Sequence, residues 1–161
     1  MIQATTETGI SIYIQTEDNR INTSVASTHI RHLMKFTNDM DGAIHYYYAT
    51  NETIYNRYTY LTFTYNTTTD MFEGVTNLLP AGYWKYEAYE VSWGDELPSV
   101  VEGKAPKTED DVLTPPAANK GIVQGLVTKG KMYLAERDGT AQVQYRQRKE
   151  PSETNYIWYG Q

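Results

Sequence analysis

Apolar residues early in the chain recur at every second position. In "GISIYIQTE" (9–17) Ile10, Ile12 and Ile14 fall on one side of an extended strand, because successive strand side chains point to opposite faces. "STHIRHLMKFTN" (27–38) puts Ile30, Met34 and Phe36 on one face with His32 among them, and "NDMDG" (38–42) then turns the chain. "RYTYLTFTY" (57–65) sets Leu61, Phe63 and Tyr65 against Tyr58, Tyr60 and Thr62, so rings and β-branched residues crowd both faces before "NTTTDMFEG" breaks the pattern. No segment of the first 92 residues carries a helical stripe of useful length. The pattern predicts an all-β sandwich over residues 1–93.

The stretch "LLPAGYWKYEAYE" (78–90) adds a specific shape. Leu78, Pro80, Gly82 and Trp84 read L-x-P-x-G-x-(aromatic), with Tyr86 and Ala88 continuing on the same face. This spacing resembles the aromatic corner that leads into the sixth strand of fibronectin type III and immunoglobulin-like domains, where a ring crosses between the sheets and its polar atom bonds a nearby backbone group. Trp84 stands where those families usually keep Tyr, so the corner bond is expected from an indole N–H. Trp84, Tyr86 and Ala88 then point inward, and Tyr83, Lys85, Glu87 and Tyr89 outward.

After Trp93 the composition changes. Residues 94–119 contain four of the six prolines and six acids, and in isolation cannot bury enough surface to order themselves, so they read as an acidic, Pro-rich linker. From Lys120 pleated patterning resumes. "GIVQGLVTKGKMYLAE" and "RDGTAQVQYRQ" flank Asp138-Gly139, a type I′ turn signal, which predicts a hairpin with Met132 opposite Tyr145 and Leu134 opposite Val143. One face of that hairpin is apolar, and "TNYIWYG" (154–160) supplies a further short strand. An isolated hairpin is marginal in water. Residues 120–161 are therefore expected to form a C-terminal β arm whose apolar side packs on the body or on another chain.

Charge divides along the same boundary. The chain carries −6 overall, but residues 1–119 carry −9 and residues 120–149 carry +5. The division reads either as ordinary surface variation or as a basic tail that docks on the acidic body of a neighbouring copy, since opposite potentials assist encounter and fix register. Cysteine is absent, so no disulfide supports the fold. No window approaches the roughly 18 to 20 consecutive apolar residues of a membrane span, and the start lacks the basic and apolar regions of a secretory signal. The expected product is soluble, unprocessed and made in the cytoplasm.

Candidate chemistry is sparse. His29 and His32 lie an odd number of residues apart in a reading as strand, and so cannot share a metal from one face. "NDMDG" opens like a calcium loop, but its twelfth position is Tyr48 rather than Glu. Glu87 and Glu90 face opposite ways, and no nucleophile motif or phosphate-binding glycine loop is present. Asn22, Asn51 and Asn66 begin N-x-Ser/Thr sequons, read here as turn chemistry. The basic set Lys129, Lys131, Arg146, Arg148 and Lys149 matches no nucleic-acid motif. The sequence points to a non-enzymatic protein with no cofactor, metal, membrane or nucleic-acid partner.

Tyrosine remains to be explained, at 15 residues against three Phe and three Trp. Tyr46, Tyr47 and Tyr48 cannot all face one core, and Tyr83 and Tyr89 point outward. Aromatic side chains with a polar handle suit protein interfaces. They also suit stacking on sugar rings, which would make Tyr46 and Tyr89 the binding residues of a carbohydrate-binding module. A Tyr-rich sheet with no partner is the plainer alternative.

Taken together, the corner "LLPAGYWKYEAYE", the strand "GLVTKGKMYLAE" and the ending "QVQYR…TNYIWYG" resemble small virion structural proteins of tailed bacteriophages, particularly auxiliary capsid (decoration) proteins of crAss-like phages, over residues 28–161. The resemblance implies many copies on the outer surface of an icosahedral capsid, bound to the major capsid protein at junctions between capsomers, or else a place in the neck, as a tail adaptor, or in a head fibre. The expected interface comprises Tyr46, Tyr47, Tyr48, Tyr83 and Tyr89 of the body, together with Met132, Leu134, Val143, Tyr145, Tyr156, Trp158 and Tyr159 of the arm. The outward face of the body is expected to contact host-surface glycans in a secondary role.

Overall fold

The computed structural model describes residues 1–113 and 119–138. Among these, nine strands form two sheets: β1 (Ile2–Thr5), β2 (Ile10–Ile14), β3 (Ile30–Asn38), β4 (Ile44–Tyr48), β5 (Asn51–Ile54), β6 (Thr59–Tyr65), β7 (Val75–Thr76), β8 (Gly82–Ser92) and β9 (Ile122–Ala135). The larger sheet has the order β1-β9-β8-β3-β4, and the smaller has β2-β6-β5 with β7 beside the end of β6. Pairing is antiparallel except for β1 with β9 and β6 with β7. The all-β expectation holds.

The alternation read in the sequence builds the space between the sheets. Ile10, Ile12 and Ile14 of β2 and Leu61 and Phe63 of β6 are buried against Met34 and Phe36 of β3 and Trp84 and Ala88 of β8. The Phe36 and Phe63 rings meet edge-on across the sandwich at 5.9 Å, an arrangement aromatic quadrupoles favour. The indole bond expected at the corner is present: Trp84 Nε1–H donates to the Pro80 carbonyl at 3.1 Å. Tyr86, next on the same face, lies over Gly130 of β9, where any β-carbon would approach its hydroxyl to 2.6 Å. "NDMDG" is a turn held by the Asn38 side chain, whose oxygen accepts the N–H groups of Met40 and Asp41.

The division into body, linker and arm changes. β9 is paired along its length with β8, from Gly82 opposite Leu134 to Ser92 opposite Ile122, and its end is flanked on the other side by β1, with Ile2 opposite Met132 and Ala4 opposite Leu134. Met132 and Leu134 are fully buried in the core of their own sandwich. The predicted ladder of Met132 with Tyr145 and Leu134 with Val143 therefore meets a strand whose two edges are already taken. Residues 122–135 belong to the body, because their apolar face completes the core beneath Trp84. Val143, Tyr145, Tyr156, Trp158 and Tyr159 lie outside the described residues.

The first part of the expected linker also packs. A second apolar cluster covers the outer face of the larger sheet: Leu33, Tyr48, Val91 and Trp93 are buried beneath Val101 and Ala105, with Leu97 and Phe72 at its margin. Residues 94–113 are a strap across this face.

Candidate functional site

The two outer faces of the sandwich carry the side chains of interest. On the larger sheet, register places Tyr46 of β4 and Glu87 of β8 on either side of Lys35 of β3. The strap brings Glu109 to this group. The Glu109 carboxylate accepts hydrogen bonds from the Lys35 ammonium and the Tyr46 hydroxyl, Lys35 lies 3.5 Å from Glu87, and Tyr89 donates to Glu87 at 3.1 Å. Tyr48, one turn of the pleat further along, donates its hydroxyl to the Pro106 carbonyl at 2.7 Å.

Electrostatics mark this group as a closed latch. The hydrogen bond to Glu109 raises the pKa of Lys35, outweighing the opposing effect of burial. Burial pushes Tyr46 up to about 12, with the Glu109 carboxylate adding to it, and burial followed by Glu87 does the same for Tyr89. Burial would raise Glu109, but the bonds from Lys35 and Tyr46 hold it below the usual carboxylate range. Near neutrality Lys35 and Glu109 are therefore charged and Tyr46 and Tyr89 neutral. The arrangement fastens the strap to the outer face of the larger sheet.

The predicted interface tyrosines consequently divide. Tyr47 is buried between the sheets near Phe36, and Tyr48 is fully buried beneath the strap, so neither offers a surface to a partner. Tyr46 and Tyr89 are partly covered and engaged by carboxylates, which removes them as a free sugar platform. Met132 and Leu134 are core residues. Tyr83 alone of the described set is well exposed, at 54 %. Its ring meets that of Tyr133, directly across on β9, at a centroid distance of 5.1 Å, and Lys85 and Lys131 lie opposite each other one pleat away.

Two buried carboxylates tie loops and sheets together. Glu52 of β5 reaches the stretch of β3 that extends beyond the β4 ladder. One of its oxygens accepts the His32 N–H at 3.1 Å and the other pairs with His32 Nδ1 at 2.5 Å, while the Arg31 guanidinium lies 3.9 Å away and also bonds the Ala49 carbonyl. A cleft of about 460 Å³ opens beside this tie, between residues 27–31, 50–54 and 97–98. Glu90 accepts the N–H groups of Ile21 and Asn22 at 2.9 and 2.8 Å and so fixes the long β2–β3 connection to β8. His29 precedes β3 in a short 3₁₀ turn, apart from His32 on the strand.

The outer face of the smaller sheet holds a group the sequence reading passed over. Tyr13 of β2 stacks on Tyr60 of β6 at 4.7 Å and meets Tyr58 edge-on at 5.6 Å, and Tyr58 contacts Tyr55 at 4.8 Å. Tyr13 is 64 % exposed, and Tyr55 and Tyr58 are exposed too. The signal was present in the pattern, since Tyr13 alternates with buried isoleucines and Tyr58 and Tyr60 with Leu61 and Phe63. What single-strand periodicity lacks is the register that puts Tyr13 beside Tyr60.

Comparison with protein-family models, with curated proteins and with solved structures finds no match for this chain.

Proposed function

We propose that this chain is a non-enzymatic, immunoglobulin-like structural protein of a tailed-bacteriophage virion, an auxiliary capsid protein that decorates the outer shell and cements capsomers. The strand order supports the immunoglobulin-like reading: β2-β6-β5 corresponds to B-E-D, and β4-β3-β8-β9 to C′-C-F-G, of that sandwich. The Trp84 bond to Pro80 stands at the corner leading into the F-like strand. The virion reading rests on the resemblance of residues 28–161.

The observation that carries an assembly role is the exposed Tyr83–Tyr133 pair, flanked by Lys85 and Lys131. It lies beside the end of β9, from which the chain continues into residues 139–161 with Tyr145, Tyr156, Trp158 and Tyr159. Exposed tyrosine rings in contact match the composition of interface anchors. The cementing surface is thus this pair together with the C-terminal segment, and the buried face of β9 takes no part.

The test is co-sedimentation with shells of the major capsid protein encoded alongside this chain. The full chain should bind saturably at many sites per shell. Tyr83→Ser with Tyr133→Ser, and a chain ending at residue 138, should each bind about tenfold or more weakly while remaining folded. Failure of the full chain to bind shells would overturn the decoration role, and binding confined to neck complexes would establish the adaptor role in its place.

A further inference from the structure

The tyrosines on the smaller sheet lie on the opposite side of the sandwich from Tyr83 and Tyr133 and need a separate account. Three strands about 4.8 Å apart, over four residues of about 3.3 Å each, make this face roughly 10 by 13 Å. A stable protein interface covers about 800 Å² per partner. The ring platform is several times smaller, and it is firmly backed: the intervening residues Ile12, Ile14, Leu61 and Phe63 are all buried in the core. Its rings are held by their contacts with one another, so little side-chain freedom remains to be lost on binding.

The chemistry of the face is narrow. Reading across the strands, Tyr13, Tyr60 and Thr53 form one row and Ser11, Thr62 and Asn51 the next. The Ser11 and Tyr60 hydroxyls lie 3.3 Å apart. Every one of these positions is uncharged, with ring faces in one row and hydroxyl or amide groups in the neighbouring one. Arg57 stands in the turn between β5 and β6, next to Tyr58 in the chain, and one cation is too little for a phosphate backbone. Exposed ring faces beside short hydroxyl and amide groups, with neither charge nor the area of a protein interface, fit a ligand that offers both a C–H surface and many hydroxyls.

We propose that this face binds a neutral oligosaccharide. Its sugar rings lie on Tyr13 and Tyr58, whose electron-rich faces attract the positively polarised C–H hydrogens, and its hydroxyls bond Ser11, Asn51 and Thr53. The site uses the other outer face from Tyr83 and Tyr133, so its test does not depend on shell docking.

The test applies the full chain to an array of neutral and sialylated oligosaccharides, followed by calorimetric titration of the neutral oligosaccharide bound most strongly. Tyr13→Ala and Tyr58→Ala should each weaken binding by about tenfold. Tyr13→Phe, which keeps the ring, should stay within about twofold, and Tyr83→Ala, which belongs to the opposite face, should leave binding unchanged. An array without a neutral hit, binding that requires sialic acid, or binding indifferent to Tyr13→Ala and Tyr58→Ala would each overturn the proposal. Equal losses from Tyr13→Phe and Tyr13→Ala would overturn ring stacking as its basis.

Discussion

Replacing Tyr48 with Phe isolates the bond that holds the strap. The Phe ring would keep the stacking on Phe72 at 6.2 Å and the position beneath the Arg31 guanidinium at 5.9 Å, while the hydroxyl that donates to the Pro106 carbonyl would be gone. Tyr48 is fully buried, so the carbonyl would lose its partner away from water, a change that costs about 1–2 kcal/mol, the lower part of the range for an unsatisfied buried group. A loss of 1–2 kcal/mol raises the population of the opened strap by roughly 5- to 30-fold. Lys104 and Lys107 are exposed on the strap and flank Pro106, so trypsin reports opening directly: when reclosure is faster than cleavage, the cleavage rate follows the opened fraction. Tyr48→Phe should therefore be cut at Lys104 and Lys107 about 5- to 30-fold faster than the parent, and Glu109→Gln, which weakens the bonds to Lys35 and Tyr46, should move in the same direction. Cleavage of Tyr48→Phe at the parent rate would refute the reasoning, and would mean that the strap is held by its apolar contacts alone.

Further outcomes follow from the same structure. Met132→Ala should lower the free energy of unfolding by about 2–5 kcal/mol in urea titration, since it opens a cavity beneath Trp84; a loss of only a few tenths would contradict the placement of β9 in the core. Glu90→Gln sets an amide N–H₂ against one of the N–H groups of Ile21 and Asn22, so hydrogen exchange at residues 20–25 should speed up while exchange in β3 and β8 stays slow. In acid, stability should fall in two steps. Burial lowers the pKa of His45 below 6.5 despite the pull of Asp41, so protonation favours the unfolded chain and stability is lost as the pH drops below about 6.5. Glu109 is held below 4.5, and its contribution disappears as the pH falls further, when Lys35 and Tyr46 lose their acceptor. Urea midpoints that stay constant from pH 7 to pH 3 would contradict both steps.

The parts of the fold legible in the sequence are those that depend on one strand at a time. Ile10, Ile12 and Ile14, or Trp84, Ala88 and their neighbours, announce their faces by alternation, and the corner bond of Trp84 follows from local spacing. Pairing is a different kind of information. Asp138-Gly139 favoured the downstream strand as the partner of β9, yet β8 pairs along one edge and β1 takes the other at Met132–Ala135, because the Met132 and Leu134 face completes a core larger than any hairpin provides. The strap was hidden for a related reason. Its composition cannot order it alone, but Leu33, Tyr48 and Val91 give the larger sheet a second apolar face that Val101 and Ala105 cover. The tyrosine platform depends on the β2–β6 register, which no single segment contains.

The central claim is that this chain coats a shell in many copies, and the count of copies per purified particle tests it most directly. Quantitative mass spectrometry against the major capsid protein should give a ratio on the order of one chain per capsomer junction, amounting to hundreds of copies in an icosahedral shell. A count of about six or twelve, the stoichiometry of a single cyclic ring, or the absence of the chain from particles, would contradict it.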